Sequence, residues 1–411
     1  MKKTLAILLV LTLVIGSFAA CGGGEPAETE GPVKLVIAAR GGSHVDVINA
    51  VKAQFEADNN CTIEVLGLEA ADLKQKVSLD AKNEKGTYDL MMIDDPWMPE
   101  YAQAGMMMNL TEAGYVDDED FVEASLMIGK DPYGTGDTYA LPFAGNVTLL
   151  FYNQGVLDAA GATVPDNWAD VLKISKAVNG KDGKIGYVIR GQQGNPIVGD
   201  FMPILWAYGG DIFDKDWNVV VNSPEAVAAL NLYKELLANG VNYEKNDIVS
   251  SVADGKAAMS LGWPSWFISP EGSSLAGYAR IPGKVDAAAT DNASGVIGNW
   301  MMAVTANSQN PELAMQLLEY LTSADTQKAA ADSGAVPTRI SVFTDSELSA
   351  KYPFYATLLD ATEKSRVRPR TPLWSEIENV FGIELSNAIS NTKSVEQALA
   401  DSQTAIEGIM K

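Results

Sequence analysis

Residues 139–161 read YALPFAGNVTLLFYNQGVLDAAG. Leu141-Pro142-Phe143 is extended chain, because proline fixes its own φ and keeps its predecessor out of the α region. Gly145-Asn146 then lets the backbone bend. The VTLLFY run at 147–152 is β-branched and aromatic, of strand length, and apolar enough to be buried on both faces. Residues 153–161 enter a short helix closed by glycine. A strand that bends at Gly-Asn and continues apolar passes from one lobe to another, so this stretch is read as a hinge.

Upstream, KLVIAA (34–39), CTIEVLGLE (61–69) and YDLMMI (88–93) read as core strands. Between them lie a helix with Val45, Ile48, Val51 and Phe55 on one face and a charged helix over 70–82. This alternation predicts an α/β fold with a mainly parallel sheet flanked by helices. Ligands of such sheets sit beyond the carboxyl ends of the strands. Arg40, followed by Gly41-Gly42-Ser43, and Asp94-Asp95-Pro96-Trp97 stand at those ends.

Downstream, IGYVIR (185–190) is a strand followed by the loop GQQGNP, then an apolar helix over 197–208. Residues 211–221 read as a hairpin, and Ser223-Pro224 opens a helix buried through Val227, Leu230, Tyr233 and Leu237. AAMSL (257–261) leads into Gly262-Trp263-Pro264-Ser265-Trp266. GVIGNWMMAVTA (295–306) is a second extended run, again with Gly-Asn near its middle. Asn310-Pro311 caps the next helix, and beyond Glu347 the chain is mostly helical, its last helix opened by a Ser394-x-x-Gln397 capping box.

At 411 residues the chain has room for two or three domains. Its net charge of -23 argues against nucleic acid and anionic membrane surfaces as direct partners. Residues 1–20 read as a secretory signal: Lys2 and Lys3, an apolar run at 5–14, then small residues. That run is shorter than the roughly 20 residues a spanning helix needs. Phe18-Ala19-Ala20-Cys21 resembles a bacterial lipobox, with Phe18 where leucine is usual, and makes Cys21 the expected lipidation site and mature N-terminus. A plain secretory signal cut nearby is the alternative. Residues 21–32, rich in Gly and Pro, form a flexible tether. With Cys21 lipidated, Cys61 is the only thiol left and no intramolecular disulfide can form. His44 is the only histidine, which removes most zinc-site and Ser-His-Asp arrangements. No metal and no cofactor is expected.

YDLMMIDDPWMPEYAQAG, YALPFAGNVTLLFYN, LWAYGGDIFD, GKAAMSLGWPSW, and NPELAMQLLEYLTSADTQ followed by GAVPTR resemble, in order and spacing, one known family. It is the family 1 extracellular solute-binding proteins, the maltose-binding-like receptors of carbohydrate ABC transporters. The resemblance covers nearly the whole chain after the tether. It implies a two-lobed, type II periplasmic-binding-protein-like fold, joined by crossovers near Gly145-Asn146, Gly298-Asn299 and residues 339–345. The lobes would be 33–144 with 300–340, and 145–299 with 341–411. It also implies a sugar enclosed between the lobes, permease subunits docking on both, and a lipid anchor at the cell membrane, on the extracellular face as in Gram-positive bacteria or in the periplasm. A monomer is expected.

Sugars and polyols present apolar C–H faces and hydroxyl edges, which call for flat aromatics and for Asp, Asn, Gln or Arg around a rim. Of eight tryptophans, Trp97, Trp263, Trp266, Trp300 and Trp374 stand at expected strand or loop ends, with core packing or a partner surface as the alternative for each. Trp263 and Trp300 lead because each follows glycine or Gly-Asn at a strand edge; Trp168 and Trp217 read as structural. Asp94 and Asp95 are candidates for hydroxyl contacts, with helix capping and glycosidase acid/base chemistry as alternatives. Arg40 suits a hydroxyl or an anionic group, or else a surface ion pair. Asn146, Gln192, Asn195, Asn299 and Arg339 complete the set.

Asp214-x-Asp216-x-Asn218 with Glu225 has calcium-loop spacing, but Val219 stands where glycine is required, so it reads as a hairpin. The Met91-Met92, 106–108 and Met301-Met302 clusters read as core, and Arg366, Arg368 and Arg370 as a solvated basic loop. GxxxxGK[ST], HExxH and GxSxG are absent from the sequence. The expectation is a non-enzymatic receptor for a sugar, oligosaccharide or polyol. A polyamine receptor and a cell-surface glycoside hydrolase are the alternatives, and sensing is not separable from transport.

Overall fold

The computed structural model describes residues 31–268, 274–283 and 294–411. The expected signal sequence and Cys21 lie outside the described residues. Three strands open the chain, β1 (Val33–Arg40), β2 (Cys61–Leu68) and β3 (Leu90–Asp94). A small hairpin follows, β4 (Lys130–Asp131) and β5 (Asp137–Thr138), then β6 (Leu141–Ala144) and β7 (Leu149–Tyr152). The remainder are β8 (Ile185–Ile189), β9 (Gly240–Asn242), β10 (Ala257–Gly262), β11 (Gly277–Ala279) and β12 (Trp300–Val304).

Two five-stranded sheets result, in the orders β2-β1-β3-β12-β6 and β11-β7-β10-β8-β9. In the first, β12 alone runs against its neighbours. In the second, β7 alone does so. Each sheet is therefore mainly parallel, and its one reversed strand is the strand that follows a Gly-Asn bend. The local sequences fit these places. In β1, an interior strand, Leu35, Ile37, Ala38 and Ala39 are fully buried, whereas edge strand β2 alternates buried Cys61 and Ile63 with exposed Thr62 and Glu64. Of the methionines read as core, Met91, Met92, Met301 and Met302 are at most 1% exposed and Met107 is buried, whereas Met106 and Met108 are only partly buried against the same core.

Helices cover both sheets. Ser43–Asn59 packs Val47, Ile48, Val51 and Phe55 onto the first. In the second lobe, Asn195–Ala207 is buried along every residue from Ile197 onward, wedged among Pro224–Ala238, Trp374–Ile389 and the sheet. The Ser223 hydroxyl caps Pro224–Ala238 by accepting from Ala226 N at 3.2 Å, and Ser394 caps the last helix by accepting from Gln397 N at 3.1 Å. Asn310 departs from expectation: its amide donates to Asp89 at 3.3 Å instead of capping. The calcium-like stretch is a hairpin, bridged Phe213 to Val219, with Asp214 Oδ1 accepting from the amides of Asp216 and Asn218 at 2.9 Å each.

Candidate functional site

The two sheets are joined by antiparallel crossovers. The chain leaves β6 through Gly145-Asn146 into β7 and returns through Gly298-Asn299 into β12. The strands meet where Val147 bridges Ile297 and Gly298 N donates to Asn146 O at 2.9 Å. Asn299 is fully buried, and its Oδ1 accepts from Asn146 N at 2.8 Å. It ties the crossovers together through its oxygen, while its Nδ2 is buried with no hydrogen-bond partner among the described residues. A third pass lies beside them, with Gly145 N donating to Val336 O at 3.0 Å.

At the carboxyl ends of β1, β3, β8, β9 and β10, and at the start of β12, side chains from both lobes converge. On the first lobe, half-buried Trp300 meets Trp97 edge-on at 5.8 Å and His44 at 5.8 Å. Burial, and then the charge of Arg40, lower His44 to about 4, so it is neutral near pH 7. On the second lobe, Trp263 lies against the hinge so closely that a Cβ added to Gly298 would sit 2.5 Å from ring carbons Cη2 and Cζ3. Trp300, His44, Asn146 and Ser265 face one small gap of about 20 Å³, room for little more than one water. Lys74, Asp94, Trp97, Asn195 and Glu378 line an open groove of about 470 Å³ shared by the two lobes, within the range of small-ligand sites.

A third group lies at the ends of β1 and β8 and at the start of the helix Lys245–Ala253. Arg40 donates to Leu68 O at 3.1 Å and pairs with Glu69 at 2.8 Å. Arg190 and Lys245 lie over the Trp266 ring, 5.0 and 5.8 Å from its centroid. Trp266 thus holds cations where an open stacking face was expected. Gln192 braces the loop, donating to Asn242 Oδ1 at 2.9 Å and Tyr243 O at 2.8 Å, and Asn195 donates to Glu378 at 2.9 Å.

Three further candidates are not at the cleft surface. Asp95 is completely buried and paired with Arg368, and Arg370 donates to its carbonyl at 2.7 Å. Burial raises its carboxyl to about 7 against the pull of Arg368. Trp374, 1% exposed, fills the second core. Arg339 is buried over Phe121, with Nε donating to Thr322 O at 2.6 Å and Nη1 held by Asp118. All three are corrected to structural roles. The reason is common to them: each offers a large or charged group that its own lobe, or the lobe contact, already consumes.

The basic run is also corrected. Arg368 is 3% exposed, donates to Asp94 at 3.2 Å as well as to Asp95, and stands 3.9 Å from Glu378. Its segment pairs with the second crossover, Ile297 N donating to Arg366 O at 2.9 Å. Lys74 of the first lobe likewise donates to Ser375 Oγ at 2.7 Å. A signal for this was present, since arginines two residues apart in a very acidic chain suit planar pairing with carboxylates. Arg190 and Lys245 were missed because nothing in their own segments marks them.

The family profile "Bacterial extracellular solute-binding protein" matches residues 41–328. A binding protein of Brucella abortus is 27% identical over 93% of this chain and 94% of its own length. The mannitol-binding protein of Pseudomonas aeruginosa is 24% identical over 94% and 95%. Among solved structures, a solute-binding protein of an ABC transporter from Agrobacterium radiobacter K84, in complex with ribitol, superposes with a TM-score of 0.79 at 25% identity, over 91% of this chain and 98% of that one. With two mainly parallel sheets, paired crossovers and a cleft built from both lobes, this chain belongs to the bacterial extracellular solute-binding proteins.

Proposed function

We propose that the protein is the substrate-binding receptor of an ABC importer and holds a sugar, oligosaccharide or polyol between its lobes for delivery to the permease. The observation that carries this is the groove of about 470 Å³ lined by Trp97 and Asp94 from one lobe and Asn195 and Glu378 from the other. Trp97, with Lys74 5.7 Å over its ring, and the hydrogen-bonding groups around it suit a polyhydroxylated ring or chain. The mannitol- and ribitol-binding relatives support the ligand class. A ligand touching both lobes selects the closed arrangement without any chemical step. The lobes are read as 33–144 with 300–340, and 145–299 with 341–411. Residues 1–20 and Cys21 fit a lipidated, membrane-anchored receptor.

A thermal-shift screen against monosaccharides, oligosaccharides, polyols and polyamines tests the reading. A ligand at 100 times its Kd stabilises by about 2.7 kcal/mol, which moves Tm by a few degrees. A shift confined to sugars or polyols supports the proposal. A shift with polyamines alone contradicts the ligand class, and glycoside turnover contradicts the receptor role.

A further inference from the structure

Three cations gather at one side of the cleft. Arg40 ends β1 on the first lobe; Arg190 follows β8, and Lys245 begins the helix Lys245–Ala253 on the second. Arg40 is partly neutralised by exposed Glu69. The other two have no such partner. Among the described residues, the half-buried Arg190 guanidinium makes no side-chain hydrogen bond and no ion pair, and Lys245 makes none either. Two carboxylates stand near Arg190, and both are committed: Asp200 accepts from the Arg190 backbone N–H at 3.0 Å and from Tyr233 Oη at 2.8 Å, and Glu378 accepts from Asn195. What the two cations share is the Trp266 ring, which compensates a desolvated charge only in part.

This placement runs against local stability. A lysine at the first position of a helix opposes the helix dipole, which favours anions there. A half-buried arginine whose neighbouring carboxylates, Asp200 and Glu378, make no hydrogen bond to its guanidinium is compensated for desolvation only in part. In a chain with 53 acidic residues, carboxylates to neutralise these groups were abundant elsewhere. Mutual repulsion adds to this: burial first, then Arg40 and Arg190, hold the Lys245 amine below its usual range against the pull of Glu69.

We infer that the ligand carries an anionic group, a carboxylate or a phosphate on a sugar or polyol, which Arg190 and Lys245 receive from the second lobe while Arg40 faces it from the first. The inference rests on the receptor reading above. Arg190 supplies planar paired donors to such a group and Lys245 a point charge. The cluster also offsets, at the cleft, the repulsion that a net charge of -23 exerts on an anion.

Calorimetric titration of the purified protein with matched pairs tests this: glucuronate against glucose, galacturonate against galactose, gluconate against sorbitol, and glucose 6-phosphate against glucose. The expected result is one acid bound at least about tenfold tighter than its neutral counterpart, with a preference that shrinks as salt rises. Whether that acid is a carboxylate or the phosphate identifies the group. Lys245→Gln should erase most of the preference, read as the ratio of the acid's Kd to that of its neutral counterpart, and Arg190→Gln should do the same if it folds. Neutral ligands bound as well as their acids would overturn the anion assignment and leave the receptor reading intact. Polyamine binding alone would overturn both. A panel in which no acid binds also overturns the assignment.

Discussion

Asp95 shows how the same residue type changes meaning with its surroundings. Its carboxylate is fully buried between Arg368 and Arg370, which come from the opposite end of the chain. Removing one partner of a buried ion pair strands the others, so Asp95→Ala should destabilise by about 3 kcal/mol or more in a denaturant titration. A loss under 1 kcal/mol would show the network to be hydrated. Asp200 gives a pH prediction. Burial raises its carboxyl to about 6 from the ordinary 3.8, so the folded state holds its proton more tightly than the unfolded chain. Its contribution is therefore fully present below about 4 and lost as pH rises through about 6. His44, lowered to about 4, works in the opposite direction over the same window and the raised Asp95 in the same direction, so the wild-type slope alone does not isolate Asp200. The stability of the wild type relative to Asp200→Asn should fall by roughly 2 to 3 kcal/mol between pH 4 and 7. A flat difference would contradict the assignment. At this scale the sequence was legible where a residue's role is set by its neighbours in the chain. Trp263 and Trp300 stand beside glycine at strand edges, and the structure places both at the hinge side of the cleft. Arg368 was misread because its partners, Asp94 and Asp95, lie more than 270 residues away.

At the scale of elements, the hinge rests on a few close approaches. Gly298 leaves space for the Trp263 ring, and Gly145 lets the first crossover pass the third: a Cβ there would sit 2.3 Å from the Pro337 carbonyl oxygen. The Trp263 contact is with a side chain that can move, the Pro337 contact with backbone that cannot easily yield. Gly298→Ala should therefore displace the indole and weaken ligand binding by about tenfold, equivalent to about 1.4 kcal/mol, with a nearly unchanged Tm. Gly145→Ala should instead lower Tm, by an overpacking cost of about 1 to 3 kcal/mol. Calorimetry and thermal unfolding of the two variants separate these outcomes; equal effects on both readouts would deny the distinction. Elements themselves were well signalled by apolar runs, Ser-Pro starts and Gly-Asn bends. Pairing was not: that β12 and β7 are the reversed strands follows from which sheet each enters after its bend, which local pattern does not encode.

For the whole molecule, the division into two sheets of the same design, with their strand ends facing one cleft, is what makes a receptor of this chain. The order of elements and the family-like segments made that architecture legible. The contents of the cleft were less so, since they come from segments as distant as Arg40 and Glu378, each unremarkable alone. The claim that one ligand is held by both lobes is tested by titrating that ligand, once the screen identifies it, into the wild type, Asp94→Asn from the first lobe and Asn195→Ala from the second. The account predicts a single site per chain, weakened at least about tenfold by either substitution, or about 1.4 kcal/mol each, with unliganded Tm values within a few degrees of wild type. Binding that survives one of the two substitutions unchanged would place the ligand on a single lobe and contradict it.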